Sequence, residues 1–111
     1  MTDLIDWADF SKVQMVAGTV VRAEVFPEAK RPAYLIWVDF GAYGERKTSA
    51  QVTGVYAPEE LVGRQIIGVI NFPEKQIGPI RSQFLLTGFH TDDGVVIATT
   101  ERTVPNGTRL A

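Results

Sequence analysis

The sequence predicts an all-β fold with short helices: a five-stranded barrel preceded by an N-terminal helix and followed by a C-terminal hairpin extension. Three observations point there. Runs rich in β-branched and aromatic residues, such as YLIWVDF and RQIIGVINF, recur between Gly, Pro, Asp-Gly and Asn-Gly turn signals. Helical signals are confined to two brief segments, one before the first strand and one after the third. The 111 residues, 45% hydrophobic and 22% charged, suit one globular domain over 1–111 with no internal repeat or linker.

Each element has a local reason. In DWADFSKV, residues 6–13, Asp6 can cap a helix and Asp9 sits three places on as in a capping box, while Trp7 and Phe10 share a face at i, i+3. MVAGTVVRAEVF follows as the first strand, where Ala17, Thr19, Val21, Ala23 and Val25 form the more consistently apolar of two alternating sets. Pro27 and Pro32 bracket a loop because neither can donate a ladder hydrogen bond. YLIWVDF is a second strand ending at Gly41, GAYGER a turn, and RKTSAQVT a third, more polar strand. In APEELVG, Pro58 suits the first helical position, Glu59 and Glu60 the positive end of the dipole, and Gly63 the stop. RQIIGVINF is the fourth strand and SQFLLTGF the fifth; Asp93-Gly94 before VVIATT signals a hairpin, and Asn106-Gly107 a last turn between Val104 and Leu110.

Five strands interrupted by a helix after the third is the usual order of an OB-type barrel, although sandwiches and SH3-like barrels are also built from short alternating strands. OB barrels bind on the face of strands 2 and 3 and on the loops joining strands 1–2 and 4–5. The net charge is −2, which argues against a chain devoted to phosphate backbones. Its cations are nevertheless uneven: Lys30 and Arg31, Arg46 and Lys47, and Lys75 and Arg81 fall in three polar windows, two of them on those loops. Solvated loops are commonly charged, so the pattern alone is equally that of a plain surface.

Catalysis has little to work with. There is no cysteine, hence no disulfide, zinc-thiolate cluster or thiol nucleophile. His90, with Asp92 and Asp93 behind it, lies in a turn-forming sequence and has no nucleophile signalled near it; Ser11, Ser49 and Ser82 lack any GxSxG setting. No glycine-rich phosphate loop and no converging metal ligands are evident, so no cofactor and no metal are expected. An acidic start and the lack of a long apolar run suggest a cytoplasmic protein.

Binding has more. Phe72, Pro73, Ile77, Ile80 and Phe84 surround the 4–5 loop, where an apolar rim would mark a contact site unless the isoleucines fold back onto the core. Trp37 faces the same choice between core and exposed platform. Trp7 and Phe10, on a helix outside the barrel, need cover from their own domain or from a second subunit.

Taken together, GTVVRAEVFPEAKRPAYLIWVDFG, SAQVTGVYAPEELVGRQIIGVINFPEKQIGPIRSQFLL and VPNGTRL resemble the stand-alone tRNA-binding-domain fold of the CsaA-type protein-export chaperones. The resemblance covers nearly the whole chain. It implies an OB barrel, a homodimer built with the chain ends (Trp7, Phe10, Leu110) and a non-enzymatic role in binding unfolded or pre-secretory polypeptides, with the export machinery as a further partner. The same fold resembles domains appended to methionyl- and phenylalanyl-tRNA synthetases, which implies tRNA as the alternative partner. The match places Ser49, Ala50 and Gln51 in the family's third-strand motif and Ser82 with Gln83 at the mouth of the fifth strand. For polypeptide, the expectation is that Trp37, Phe72, Pro73, Ile77, Ile80 and Phe84 take side chains while Ser49, Gln51, Ser82 and Gln83 bond main chain. For tRNA, it is that Lys30, Arg31, Arg46, Lys47, Lys75 and Arg81 gather across a dimer. A basic residue common before the first-strand glycine of the wider family is replaced here by Val16-Ala17, which lowers the electrostatic affinity available for phosphate.

Overall fold

The computed structural model describes residues 3–111. In chain order it contains helix α1 (Trp7–Ser11), strands β1 (Met15–Val25) and β2 (Tyr34–Asp39), a short 3-10 turn (Gly41–Tyr43), β3 (Glu45–Ala50), helix α2 (Pro58–Leu61), β4 (Gln65–Val69), β5 (Lys75–Ile77), β6 (Ile80–Ser82), β7 (Leu85–Leu86), β8 (Gly88–Thr91) and β9 (Gly94–Ile97). β1 to β4 and β7 form one antiparallel sheet in the order β3-β2-β1-β4-β7, while β5–β6 and β8–β9 are separate hairpins. The sheet curls into a nearly closed barrel, the OB-type architecture with its hairpin extension.

The core is set by alternation, with one break. Tyr34, Ile36 and Val38 of β2 point inward, joined by Val16 and Val20 of β1, Ile66 of β4, Leu61 of α2, Phe40 and Phe84. On β1 the more apolar set is not the one that fills the core. Val16, Gly18 and Val20 face in, and a register irregularity between Val20 and Arg22 then shifts the phase so that Ala23 packs inward while Val21 and Val25 stay exposed. A long strand shared by two partners has to bend, and the bulge supplies the bend. At the barrel centre Phe40 stacks edge-on against Phe84, ring centroids 5.0 Å apart. Gly18 and Gly68 leave room for it: a Cβ on either would lie within 2.8 Å of the Phe40 ring.

The two helices start as their residues dictate. Asp6 Oδ1 accepts the Asp9 N–H at 2.8 Å and Asp9 Oδ2 accepts the Asp6 N–H at 3.2 Å, a complete capping box. Pro58 opens α2, where Glu60 Oε1 accepts the Ala57 N–H at 2.7 Å. The expected fifth strand, by contrast, is not one strand. Ser82 ends β6, Leu85–Leu86 alone pair with β4, and Gly88 begins the β8–β9 hairpin, because Gln83 and Thr87 place their main-chain N–H groups on β3 and β4 carbonyls and turn the chain each time.

The C-terminal segment docks along β1 beyond the reach of β2. The Ala17 N–H donates to Thr108 O at 2.9 Å, Gly107 N–H to Ala17 O at 2.7 Å and Leu110 N–H to Met15 O at 2.8 Å. Gln65 staples the approach, its Nε2 donating to Val104 O and its Oε1 accepting from Val104 N–H and the Thr100 hydroxyl. The α1 end is fixed beside it: Arg109 donates to Ser11 O at 2.6 Å, and Asn71 bonds both Lys12 O and the Gln14 N–H.

Candidate functional site

The β3 and β7 edges of the barrel are not hydrogen-bonded to each other, and the interval between them forms the floor of a groove. It encloses about 670 Å³ and runs from Ser49 and Gln51 on one wall to Leu86 and Gly88 on the other, with Val95 and His90 of the C-terminal hairpin at its end. A second depression of about 390 Å³ adjoins it through Lys75, Ser82, Phe84 and Leu85, and is bounded by Phe72 and Pro73. Its rim is apolar and open to solvent: Phe72 is 58% and Leu85 50% exposed.

The 4–5 loop that walls both is itself a hairpin. β5 and β6 pair from Lys75–Ser82 to Ile77–Ile80, turning at Gly78-Pro79. Its tip lies against the 1–2 loop, since a Cβ on Gly78 would be 3.6 Å from Phe26 Cζ. Ile77 and Ile80 are half-buried there, between the two outcomes the sequence left open. Trp37 points away from the core, on the outer face of β2, with the Arg22 guanidinium 4.4 Å over its ring. Pro73 and Gln51 are exposed, and Ser49 is half-buried beside the groove.

Several expected contacts are already committed elsewhere. Phe84 is only 4% exposed and belongs to the core against Phe40, so it lines the grooves from beneath and is not the projecting side chain that was expected. Ser82 shares a 2.7 Å hydrogen bond with the buried Thr48 hydroxyl, and Gln83 donates its N–H to Lys47 O and accepts the Lys47 N–H on Oε1. These two residues clasp the 4–5 hairpin to β3 instead of waiting for a partner. Arg46 faces inward and donates to Ile70 O at 2.7 Å, and Arg81 lies 3.8 Å from Glu74. Lys30, Arg31 and Lys75 are exposed and Lys47 half-buried, with no ion pair at any of the four among the described residues.

Leu85 and Leu86 are groove residues that the sequence reading did not single out. Strand alternation points to Leu85 alone, and only once Phe84 is known to face inward, which the sequence does not disclose. Helix α1 buries none of its residues; Trp7 is 72% exposed and lies against Phe10 with ring centroids 5.4 Å apart, and Leu110 is exposed as well. Among the described residues, no three His, Asp or Glu side chains are grouped to hold a metal, and no helix is long and apolar enough to cross a membrane.

With this geometry in view, residues 15–109 match the family described as "Putative tRNA binding domain". The chain belongs to the tRNA-binding-domain family. Among solved structures, this tRNA-binding domain is similar to chaperone CsaA from Bacillus anthracis str. Ames (TM-score 0.92, 37% identity, covering 98% of this chain and 100% of that one). It is equally similar to the CsaA chaperone protein from Picrophilus torridus (TM-score 0.92, 38% identity, 97% and 100%). The MetRS related protein from Pyrococcus horikoshii follows at TM-score 0.86 and 33% identity, covering 99% of this chain and 100% of that one. Among curated proteins, methionine–tRNA ligase from Methanococcus aeolicus is 31% identical over 108 residues, 97% of this chain. This tRNA-binding domain spans only 16% of that ligase, so the likeness is to one domain of it.

Proposed function

We propose that this protein is a non-catalytic, homodimeric, cytoplasmic binder that holds unfolded or pre-secretory polypeptide in the manner of a chaperone serving protein export. The observation that carries the reading is the pair of adjoining grooves at the open edge of the barrel, where Phe72, Leu85 and Leu86 present apolar surface beside half-buried Ile77 and Ile80. Surface of that kind on a small protein marks a contact site, and unfolded chains offer the complementary apolar side chains. Likeness to two CsaA chaperones over the whole of their chains supports the same reading. Dimerisation is supported by exposed Trp7 and Leu110 and half-buried Phe10, beside the docked C-terminal segment. The test is light scattering from a chemically denatured client diluted into buffer. A twofold excess of this protein slows its aggregation if the reading is right, and leaves the time course unchanged if it is wrong.

Binding of tRNA is a second reading, favoured by the family and by Lys30, Arg31, Lys47 and Lys75 on the 1–2 loop, β3 and the 4–5 loop. Filter binding at low salt tests it, and no retention of labelled tRNA removes it.

A further inference from the structure

We propose that the free edge of β3, at Ser49 and onward to Gln51, takes up one extended polypeptide segment as an additional strand, bonded through main chain; this rests on the polypeptide-binding reading above. The phase of the ladder defines the edge. Phe40 N–H donates to Gly44 O at 3.0 Å, so the even-numbered residues of β3 exchange hydrogen bonds with β2 and the odd-numbered ones turn their N–H and C=O away from it. Lys47 lies just before the groove, and Gln83 satisfies both of its groups, donating to Lys47 O at 2.8 Å and accepting the Lys47 N–H at 3.1 Å. Gln83 thus occupies the first position of a strand that the protein itself does not continue.

Two residues on, Ser49 presents the same pair of groups in the same direction. Among the described residues no hydrogen bond reaches its N–H, and its carbonyl receives only the Thr48 hydroxyl at 3.4 Å. Gln51 follows at the same two-residue spacing and is exposed. The groove in front of them falls within the range of roughly 300–1,000 Å³ usual for ligand sites. Its opposite wall, Leu86, Gly88 and Val95, offers apolar surface to every second side chain of an added strand.

The edge also selects its occupant. A donor and an acceptor repeating every two residues match the main chain of an extended polypeptide, which returns one acceptor and one donor at that interval. Phosphate oxygens offer acceptors alone and would leave the Ser49 carbonyl without a donor, so RNA could meet this edge only through a 2′-hydroxyl or a base. Because affinity comes from main chain, the site accepts clients of unrelated sequence, with the apolar walls favouring alternation of apolar residues.

The experiment uses the full chain and a fluorescein-labelled seven-residue peptide of alternating threonine and valine, read by polarisation, beside the same peptide N-methylated at every internal amide. Strand addition predicts at least a tenfold loss of affinity on methylation, because side chains are kept and donors removed. Ser49→Pro removes one donor of the edge without breaking a β2 bond and is expected to weaken the unmethylated peptide at least tenfold with the circular dichroism spectrum retained. If that variant unfolds, the methylated peptide decides alone. Exchange of the Ser49 amide in the wild-type protein is expected to slow at least tenfold at saturating peptide. Equal binding of both peptides, or an unchanged Ser49 exchange rate, overturns strand addition while leaving polypeptide binding standing. Absence of any binding by this peptide and by a reduced, carboxymethylated polypeptide overturns both, and protection of Ser49 by tRNA but not by peptide assigns the edge to RNA and overturns the proposal.

Discussion

Replacing Gly68 by Ala places a methyl group where the ring of Phe40 sits. The new Cβ would lie 2.8 Å from Phe40 Cζ and 3.0 Å from Phe84 Cδ2, inside ordinary van der Waals contact for both. Neither ring can swing away, because both are buried and packed edge-on against each other. Overpacking of this kind costs about 1–3 kcal/mol, while Ala in a strand regains about 0.5–1 kcal/mol over Gly. The net expectation is a loss of about 1–2 kcal/mol, which for a domain near this size lowers Tm by roughly 5–15 °C. Thermal and urea unfolding of Gly68→Ala, Phe40→Leu and the double variant measure it. Phe40→Leu opens the space the methyl needs, so the double variant should be more stable than the two single losses predict, by about 0.5 kcal/mol or more. A neutral Gly68→Ala, or strictly additive losses, would refute the assignment of Gly68 as the residue that seats Phe40 and so orients β7.

The remaining predictions concern surfaces. Phe72→Ser combined with Leu85→Ser removes two exposed apolar side chains, and should weaken unfolded-polypeptide binding about tenfold or more in polarisation while moving Tm little, since burying one such side chain contributes about 1.5–3 kcal/mol. Trp7→Asp should convert a species of twice the chain mass into one of 12.2 kDa in sedimentation; a wild-type protein that already sediments at 12.2 kDa contradicts the proposed dimer. For tRNA, contact through Lys30, Arg31, Lys47 and Lys75 alone gives a log–log salt slope near −4 at most per protomer, or roughly a hundredfold loss between 50 and 200 mM salt. A steeper slope per protomer would mean that Arg46 and Arg81 leave Ile70 O and Glu74 to join in.

What the residues disclosed on their own was local. The capping box at Asp6 and Asp9, the Pro58 start of α2, the hairpin signalled by Asp93-Gly94 (its turn falls at Asp92-Asp93) and the turn at Asn106-Gly107 each depend on neighbours within four positions, and each is in the structure. The strand order followed from counting segments, and the OB assignment placed the 1–2 and 4–5 loops together, as the Phe26–Gly78 approach shows. Long-range partners were not legible. Nothing near Arg46 says that its guanidinium meets Ile70 O, nor that Gln83 reaches back to Lys47 across thirty-six positions, because those contacts exist only once the barrel closes. The inner face of β1 was not legible for a similar reason: the more apolar set is not the one that fills the core, and a bulge changes partway along which residues point inward. Phe84 shows the same limit, since its place in the core depends on Gly18 and Gly68 leaving space for Phe40.

The central claim is that the groove at the barrel's open edge holds unfolded polypeptide through apolar and main-chain contacts and not through charge. The direct measurement is a polarisation titration of a labelled, reduced and carboxymethylated polypeptide at 50 and at 500 mM salt. Binding is expected to be saturable, with an affinity that changes less than threefold between the two and with Phe72→Ser/Leu85→Ser weaker at both. No saturable binding, or an affinity that collapses a hundredfold at the higher salt, would contradict it.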